Sequence, residues 1–382
     1  MKRFFCFALF SFLLFSLSAC DIASCSGKDR GDEPITQTVV TDNNGESWID
    51  FIIEFPAGKD IKILQFADLQ IQSLEWPRNQ TRYDQLRGAF FANGVTDHNE
   101  RVWKYCDEAV QKACPDLIVL TGDNVYGECD DEGVLWDMLC DKMDSYGVPW
   151  LCVFGNHDNE SAKGVLWQIS RLKQSKNCVF KRGDVTGNSN YSVAIKQGGV
   201  YKYMFYLLDT NGCLEKPNNP GESLLPDNVD IEHITQLSGI FTDQINWFRS
   251  SASISKEVTG DVPSLMFYHI PPVEATFTTA QSGVVQGSYF DNGESFGIFK
   301  EAHGGFLNAR FYSAARGIGC VGMFVGHQHK IATSAVIDGI RLTYGLKTGT
   351  YDYHDSQMLG TTEITINESD NAFNVKYLFS GQ

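Results

Sequence analysis

Short, mostly apolar runs recur along this chain, and each of them ends in a polar loop. Leu117–Leu120 is an unbroken run of aliphatic residues that is too short for a helix. Such a run is typical of a strand that is covered on both faces in a largely parallel sheet. The loop that follows it, Thr121-Gly122-Asp123, then places a carboxylate at the carboxyl edge of that sheet, where such sheets hold their ligands.

Four further runs have the same form. Their polar loops begin after Phe66, Phe154, Tyr268 and Val325. Between the run that ends at Phe66 and the run that begins at Leu117, Arg101–Ala113 carries apolar residues at helical spacing, and Pro115 marks the end of that helix. Because strands alternate with a helix, the pattern predicts βαβ units and a mixed α/β fold.

The amino terminus predicts export. Lys2 and Arg3 precede an apolar run that is short for a membrane span, and Leu17-Ser18-Ala19-Cys20 resembles the cleavage site of a bacterial lipoprotein. We therefore expect a signal peptide over residues 1–19 and a lipid anchor on Cys20, while an ordinary signal peptide with an incidental cysteine is the alternative. Either reading places the mature protein outside the cytoplasm, either at the cell surface or in the periplasm.

Composition divides the rest of the chain. Residues 20–46 are polar and fit a flexible tether, whereas residues 47–382 carry enough apolar content for one large domain.

The formal charge is −16, and it becomes −18 once the signal peptide with its two basic residues is removed, since 29 basic residues then face 47 acidic ones. A nucleic acid polymer is thus an unexpected partner, whereas a small phosphate ester held by local cations is compatible with this charge.

The residues in the polar loops are metal-ligand types. An isolated Gly-Asp-Asn sequence is more often a turn, and a lone histidine after a strand is more often structural than functional. The pair His327 and His329 is a stronger signal, and Asp123 is of the type that bridges two metal ions. Several loops of this kind in one chain therefore favour a metal site at the sheet edge.

Five motifs, taken in order, resemble the signature blocks of the calcineurin-like metallophosphoesterases. The resemblance spans about residues 60–350 and is greatest to the single-domain branch related to purple acid phosphatases. It implies a sandwich of two mixed β-sheets flanked by helices. The motifs are Asp68-Leu69-Gln70, Gly122-Asp123-Asn124, Gly155-Asn156-His157-Asp158, His269 and Gly326-His327-Gln328-His329.

The same resemblance implies a centre for two ions of iron, zinc or manganese. Asp123 matches the carboxylate that bridges both ions, and Asp68 and His329 match further ligands of the first. The second ion would take three more ligands, which are Asn156, His269 and His327. His157 matches a catalytic histidine that contacts the substrate phosphate and stabilises charge or protonates the leaving oxygen.

One position departs from the family pattern. The first motif normally reads Asp-x-His, but residue 70 is glutamine, a weaker and neutral ligand. Tyr126 follows Asp123 by three residues, the spacing at which purple acid phosphatases place a metal-bound tyrosinate. Two readings stay open: Tyr126 binds the first ion, or it packs in a turn and the first site is weak.

The resemblance implies an acid-phosphatase-like hydrolase of phosphate monoesters that uses a metal-bound hydroxide as its nucleophile. A phosphodiesterase or a nucleotidase with the same site is the near alternative. Because Gln70 replaces a usual ligand, a non-catalytic surface lipoprotein that binds a ligand is an alternative of another class. The loop Gly349–His354 either forms a wall near the metals or is a solvated loop, and the sequence assigns it no role.

Overall fold

The computed structural model describes residues 38–45, 47–73, 84, 95–211, 239–271, 284–285, 296–299 and 309–380. All of these residues belong to one compact unit, Pro34–Gln382. The signal peptide, Cys20 and most of the tether lie outside the described residues, so these expectations stay predictions. Within the described part of the chain, none of the helices combines the length and the apolar character that crossing a membrane requires.

The described strands and helices carry labels in chain order. The strands are β1 (Val39–Asp42), β2 (Phe51–Phe55), β3 (Ile61–Phe66), β4 (Leu117–Thr121), β5 (Trp150–Val153), β6 (Cys178–Val179), β7 (Tyr191–Gln197), β8 (Val200–Leu207), β9 (Ser264–Phe267), β10 (Val284–Val285), β11 (Phe296–Phe299), β12 (Cys320–Val325), β13 (Ile331–Ile337), β14 (Ile340–Tyr344), β15 (Gly360–Ile366) and β16 (Phe373–Phe379). The helices are α1 (Val95–Ala113), α2 (Val134–Ser145), α3 (Val165–Gln174), α4 (Thr242–Thr259) and α5 (Ala309–Gly317).

The strands form two mixed sheets. One sheet has the order β16-β15-β3-β4-β5-β6, in which β3 to β6 are parallel and β15 and β16 are antiparallel additions at one edge. The other has the order β1-β2-β7-β8-β9-β12-β14-β13-β11-β10, with β8, β9, β12 and β14 parallel at its centre. The predicted βαβ units are confirmed, since α1 connects β3 to β4 and α2 connects β4 to β5.

Alternating side chains of β8 show how the layers are arranged. Phe205 and Leu207 join the core cluster that also holds β3, β4 and β5, so this cluster lies between the two sheets. Met204 and Tyr206 point the other way and join a second cluster, together with Phe248 of α4. A strand with apolar residues on both faces is thus buried on both faces, and the predicted sandwich flanked by helices is confirmed.

The helix α1 begins six residues earlier than its apolar spacing indicated, at Val95 rather than Arg101. Its apolar side is buried as expected, and the residues concerned are Val102, Cys106, Ala109, Val110 and Ala113. The extra turns contain His98 and Asn99, which are polar but buried. Apolar periodicity therefore missed the start of the helix, because that end faces the polar loops of the sheet edge.

Candidate metal centre

Five strand ends meet at one edge of the sandwich. Asp68, Asp123 and Asn156 follow β3, β4 and β5 of the smaller sheet, and His269 and His327 follow β9 and β12 of the larger one. The backbone turns sharply at these ends: φ is 52° at Asp68, 50° at Asp123 and 71° at His327. Non-glycine residues adopt such angles at a cost, so the surrounding structure must hold them there. The turns direct the polar side chains towards one another.

Gly122 allows the two sheets to approach at this edge. Its φ is 89°, and a Cβ atom on it would lie 2.6 Å from His269 Nδ1. Glycine is therefore required here both by the positive φ and by the close approach of His269.

One group of ligand atoms, which we call site two, consists of Asp123, Asn156, His269 and His327. Asn156 Oδ1 lies 3.0 Å from His269 Nε2 and 2.9 Å from His327 Nδ1. His269 Nε2 is also 3.3 Å from Asp123 Oδ1. The carboxylate and the two imidazoles place their ligand atoms within 4.8 Å of one another, which is the convergence that a single metal ion requires.

The second group, site one, consists of Asp68, Asp123 and His329. Their ligand atoms also lie within 4.8 Å of one another, and His329 Nε2 is 3.2 Å from Asp68 Oδ1. Asp123 belongs to both groups. The predicted arrangement, in which one aspartate is shared by two metal sites, is thus compatible with the geometry.

Backbone carbonyls fix the orientation of two of the imidazoles. His269 Nδ1 lies 2.9 Å from the carbonyl oxygen of Thr121, and His329 Nδ1 lies 2.9 Å from that of Tyr353. Because a carbonyl only accepts, each Nδ1 carries the proton and donates it. In the neutral imidazoles, Nε2 is then the atom with a free electron pair, and it faces the carboxylates as a metal ligand should.

Burial and charge act against each other in the site. Burial opposes the ionised forms of Asp68 and Asp123, but the neighbouring histidines outweigh it and lower the pKa of both carboxyls, that of Asp123 well below its usual range. Burial likewise opposes the charged form of His269, yet Asp123 and Asp68 raise the pKa of this imidazole to about 9. Two buried carboxylates therefore stay ionised, and such a site attracts cations.

The other two imidazoles are held neutral. Burial, with the adjacent His269, lowers the pKa of His327 to about 3, and burial and Lys347 lower the pKa of His329. Neutral imidazole, carboxylate and amide oxygen together suit iron, zinc or manganese. The residues present therefore fit a two-metal centre.

His157 lies beside these two groups. Its backbone N–H donates to Asp123 Oδ1 at 2.9 Å, and its ring Nδ1 is 2.9 Å from Glu160 Oε2. Its ring stacks on that of Tyr126, with centroids 4.2 Å apart and planes 24° apart. The side chain is 14% exposed, so part of it is accessible to solvent.

Tyr126 is fully buried beneath His157 and also contacts Tyr351, whose ring centroid is 4.9 Å away in an edge-on arrangement. The structure therefore brings this tyrosine against His157, which lies beside the metal ligands. Ligation of a metal ion by its phenol stays a prediction.

Sequence reasoning assigned no role to Asp158, although it stands in the third motif, and did not single out Glu160. The buried carboxylate of Asp158 accepts hydrogen bonds from the backbone N–H groups of Gly155 at 2.6 Å, Asn124 at 2.8 Å and Val125 at 3.1 Å. It thereby ties the Asp123 loop to the Asn156 loop. Both acidic residues stand within four positions of Asn156, so the polar content of that loop was the available signal.

A sixth strand end was also missed. β14 runs parallel to β12, and the segment after it supplies Lys347, whose buried Nζ lies 2.6 Å from Gln70 Oε1, and the Tyr353 carbonyl that orients His329. The loop Gly349–His354 therefore does lie at the metal centre. The alternation of apolar and polar residues over Ile340–Tyr344 was the signal that could have revealed this strand.

This chain is similar to several known proteins. A family model described as calcineurin-like phosphoesterase matches residues 61–330. "Probable inactive purple acid phosphatase 14" of Arabidopsis thaliana is 28% identical over 267 residues, which cover 63% of this chain and 60% of that protein. "Probable inactive purple acid phosphatase 29" of the same plant is 24% identical over 325 residues, covering 79% of this chain and 74% of that protein.

The match thus spans less than two thirds of the first of these relatives. Among solved structures, a purple acid phosphatase from yellow lupin (Lupinus luteus) seeds superposes with a TM-score of 0.47 at 12% identity. That superposition covers 87% of this chain and 54% of the lupin chain.

Proposed function

This chain belongs to the calcineurin-like phosphoesterase family, and from that premise we propose that it hydrolyses phosphoric esters, with small monoesters as its substrates. The observation that carries the proposal is the convergence of two ligand groups on Asp123, each with its ligand atoms within 4.8 Å. Family membership supports the reaction class, and this geometry supports the use of two ions.

When bound, two ions at sites one and two would activate water for attack and offset charge on the phosphoryl group. The chain itself supplies the positioning. Asp123 holds the two sites in register, and the Thr121 and Tyr353 carbonyls keep His269 and His329 facing them.

His157 is the proposed proton donor to the leaving oxygen. Glu160 lies against its Nδ1, which leaves Nε2 as the ring atom that faces substrate. Stacking on Tyr126 restricts the ring further. A histidine positioned in this way would protonate the departing alkoxide or stabilise its charge.

A second candidate function is non-catalytic ligand binding by a surface protein with an impaired metal site. Two observations favour it: the relatives named above are called inactive, and Gln70 stands where the family pattern has histidine. Phosphodiesterase or nucleotidase activity at the same site is the alternative within the enzyme class.

Metal content and turnover separate these functions. The purified chain is stripped of metal, reloaded with iron, zinc or manganese, and assayed with a chromogenic monoester and the matching diester. Two bound ions with faster monoester turnover support the proposal, and faster diester turnover favours the alternative within the class. Protein that binds no metal, or that binds two ions and hydrolyses neither ester, contradicts the proposed enzyme.

We also propose that the mature protein is held outside the cytoplasm by a lipid on Cys20. The support is the sequence around this residue, which resembles a lipoprotein cleavage site. Cys20→Ser is expected to move the protein from the membrane fraction to the soluble one, with Cys6→Ser as the matched control inside the signal segment. Unchanged membrane partition of Cys20→Ser would remove the claim.

A further inference from the structure

Lys347 is a buried cation at site one. The residue is only 1% exposed. Its Nζ lies 2.6 Å from Gln70 Oε1 and 3.2 Å from the backbone carbonyl oxygen of Asp68. The carboxylates of Asp68, Asp123 and Asp352 face this ammonium group, and so do the imidazoles of His98, His329 and His354. A lysine is almost never buried unless it is paired, so these contacts are what keep it there.

The same contacts fix the orientation of the Gln70 amide. Lysine only donates hydrogen bonds, so the group that meets Lys347 Nζ must be the amide oxygen. The amide nitrogen then faces Asp123 Oδ2, at 3.3 Å, and an ionised carboxylate only accepts. Both ends of the amide therefore agree on one orientation.

This orientation removes Gln70 as a ligand. The oxygen is the only atom of an amide that binds a metal ion, and in Gln70 it is taken up by the ammonium group. The NH₂ group and the nearby ammonium group present hydrogen-bond donors and positive charge towards Asp68 and Asp123, two of the three residues of site one.

Site two has no such neighbour. Among the described residues, no hydrogen bond or ion pair joins a lysine or arginine side chain to Asn156, His269 or His327. The two sites share Asp123, but within the described part of the chain a lysine side chain lies against only site one.

We propose that the Lys347–Gln70 pair replaces a ligand at site one and weakens it for divalent ions, so that the protein takes up its two ions in separate steps, site two first. This inference rests on the two-metal site of the proposed function. The ammonium group of Lys347 offsets part of the negative charge that the ion of site one would otherwise neutralise. The carboxylates of site one therefore stay close together before that ion binds.

The test is a titration of metal-free protein with Mn²⁺, in which the electron paramagnetic resonance signal of the free ion reports binding without any assay of activity. Wild type is expected to bind one ion tightly and a second more weakly. Lys347→Met should tighten the second step by roughly 10- to 100-fold, because it removes a positive charge that repels the entering cation in a low-dielectric interior, and it should change the first step less. Lys181→Met is the matched control, because its ammonium group pairs with Asp50 and not with the site.

His329→Ala assigns the steps, since it should remove the weak step and keep the tight one. If it removes the tight step, the proposed order of filling is wrong. Should Lys347→Met fail to fold by circular dichroism, Lys347→Gln removes the charge and keeps a donor, and the same tightening is expected of it.

The outcomes also separate this inference from the proposed function. Wild-type protein that binds no Mn²⁺ would contradict both. Two steps that are equal in wild type, or a second step that neither Lys347 variant changes, would overturn only this inference and leave the two-metal hydrolase intact.

Discussion

Sites one and two are built from similar residues but differ in their surroundings. Site two gathers Asn156, His269 and His327 around Asp123, and its nearest charged groups are carboxylates and the imidazole of His269. Site one gathers Asp68 and His329 around the same aspartate, and Lys347 and Gln70 lie directly behind it.

Under the proposed order of filling, ligand identity alone does not set the strength of a metal site. A buried cation changes the charge that an entering ion meets, and the low dielectric of the interior makes that effect larger than it would be in water. The pKa values differ as well, because the neighbouring carboxylates raise the pKa of His269 to about 9, whereas burial and Lys347 lower the pKa of His329. Five variants or conditions test this comparison, starting with the largest expected effect.

Asp123→Asn removes the ligand that both sites share. We expect loss of both ions and of turnover, because an amide is a weaker ligand that carries no charge to offset two cations. The fold should persist, since asparagine has nearly the same volume. Metal analysis, chromogenic monoester turnover and circular dichroism are the measurements. The exposed Asp338→Asn serves as the control, and near-normal activity in Asp123→Asn would contradict the shared-ligand model.

His157→Ala tests a residue that belongs to neither site. Turnover should fall by about 10² to 10⁴, the usual contribution of a proton-transfer group, while both ions remain bound. Steady-state kinetics and metal analysis of the same preparation provide the comparison. Loss of metal in this variant would mean that the histidine had been assigned to the wrong role.

The pH dependence of metal affinity should differ between the sites. His269, with its pKa raised to about 9, must lose a proton before it binds metal, so site two should tighten by up to about tenfold per pH unit between about 6.5 and 8.5. His329, with its pKa lowered, releases no proton, and site one should change less. Mn²⁺ titrations across this range measure both steps. Equal slopes would show that the two histidines have the same protonation state.

Glu160→Gln weakens the contact that orients His157. The turnover number should fall by roughly tenfold or less with little change in KM or metal content, because only the ring of His157 loses its orientation. Glu132→Gln is the control, because it removes a carboxylate at an exposed position. A changed metal content with unchanged turnover number would point to a role in binding ions instead.

Tyr126→Phe keeps the ring and its stacking on His157. Of the variants described here, it should therefore change the free energy of unfolding least. If the phenolate binds ferric iron at site one, iron-loaded wild type should absorb visible light and the variant should lose that band. Visible spectra of the two iron-loaded proteins decide the question. A colourless wild type, or a band that survives in Tyr126→Phe, would exclude the tyrosinate.

Much of the fold was predictable because buried parallel strands leave a local signature. β4 and β5 are entirely buried, and their apolar runs identified both strands within a residue or two. The start of α1 was not predictable in this way, since its first turns bury the polar His98 against the backbone carbonyl of Gln70 and the Thr350 hydroxyl, groups that lie far from it in sequence.

The sequence by itself determined which residues could bind metal, because each of them directly follows an apolar strand and the carboxyl ends of parallel strands meet at one edge. Only the tertiary structure decided what surrounds those residues. Gln70 meets Lys347 across 277 positions of the chain, and His329 meets the carbonyl of Tyr353 because β14 pairs with β12. The physical reason is that strand pairing, which no local pattern encodes, sets which distant groups share a buried space, and there their charges act most strongly on one another.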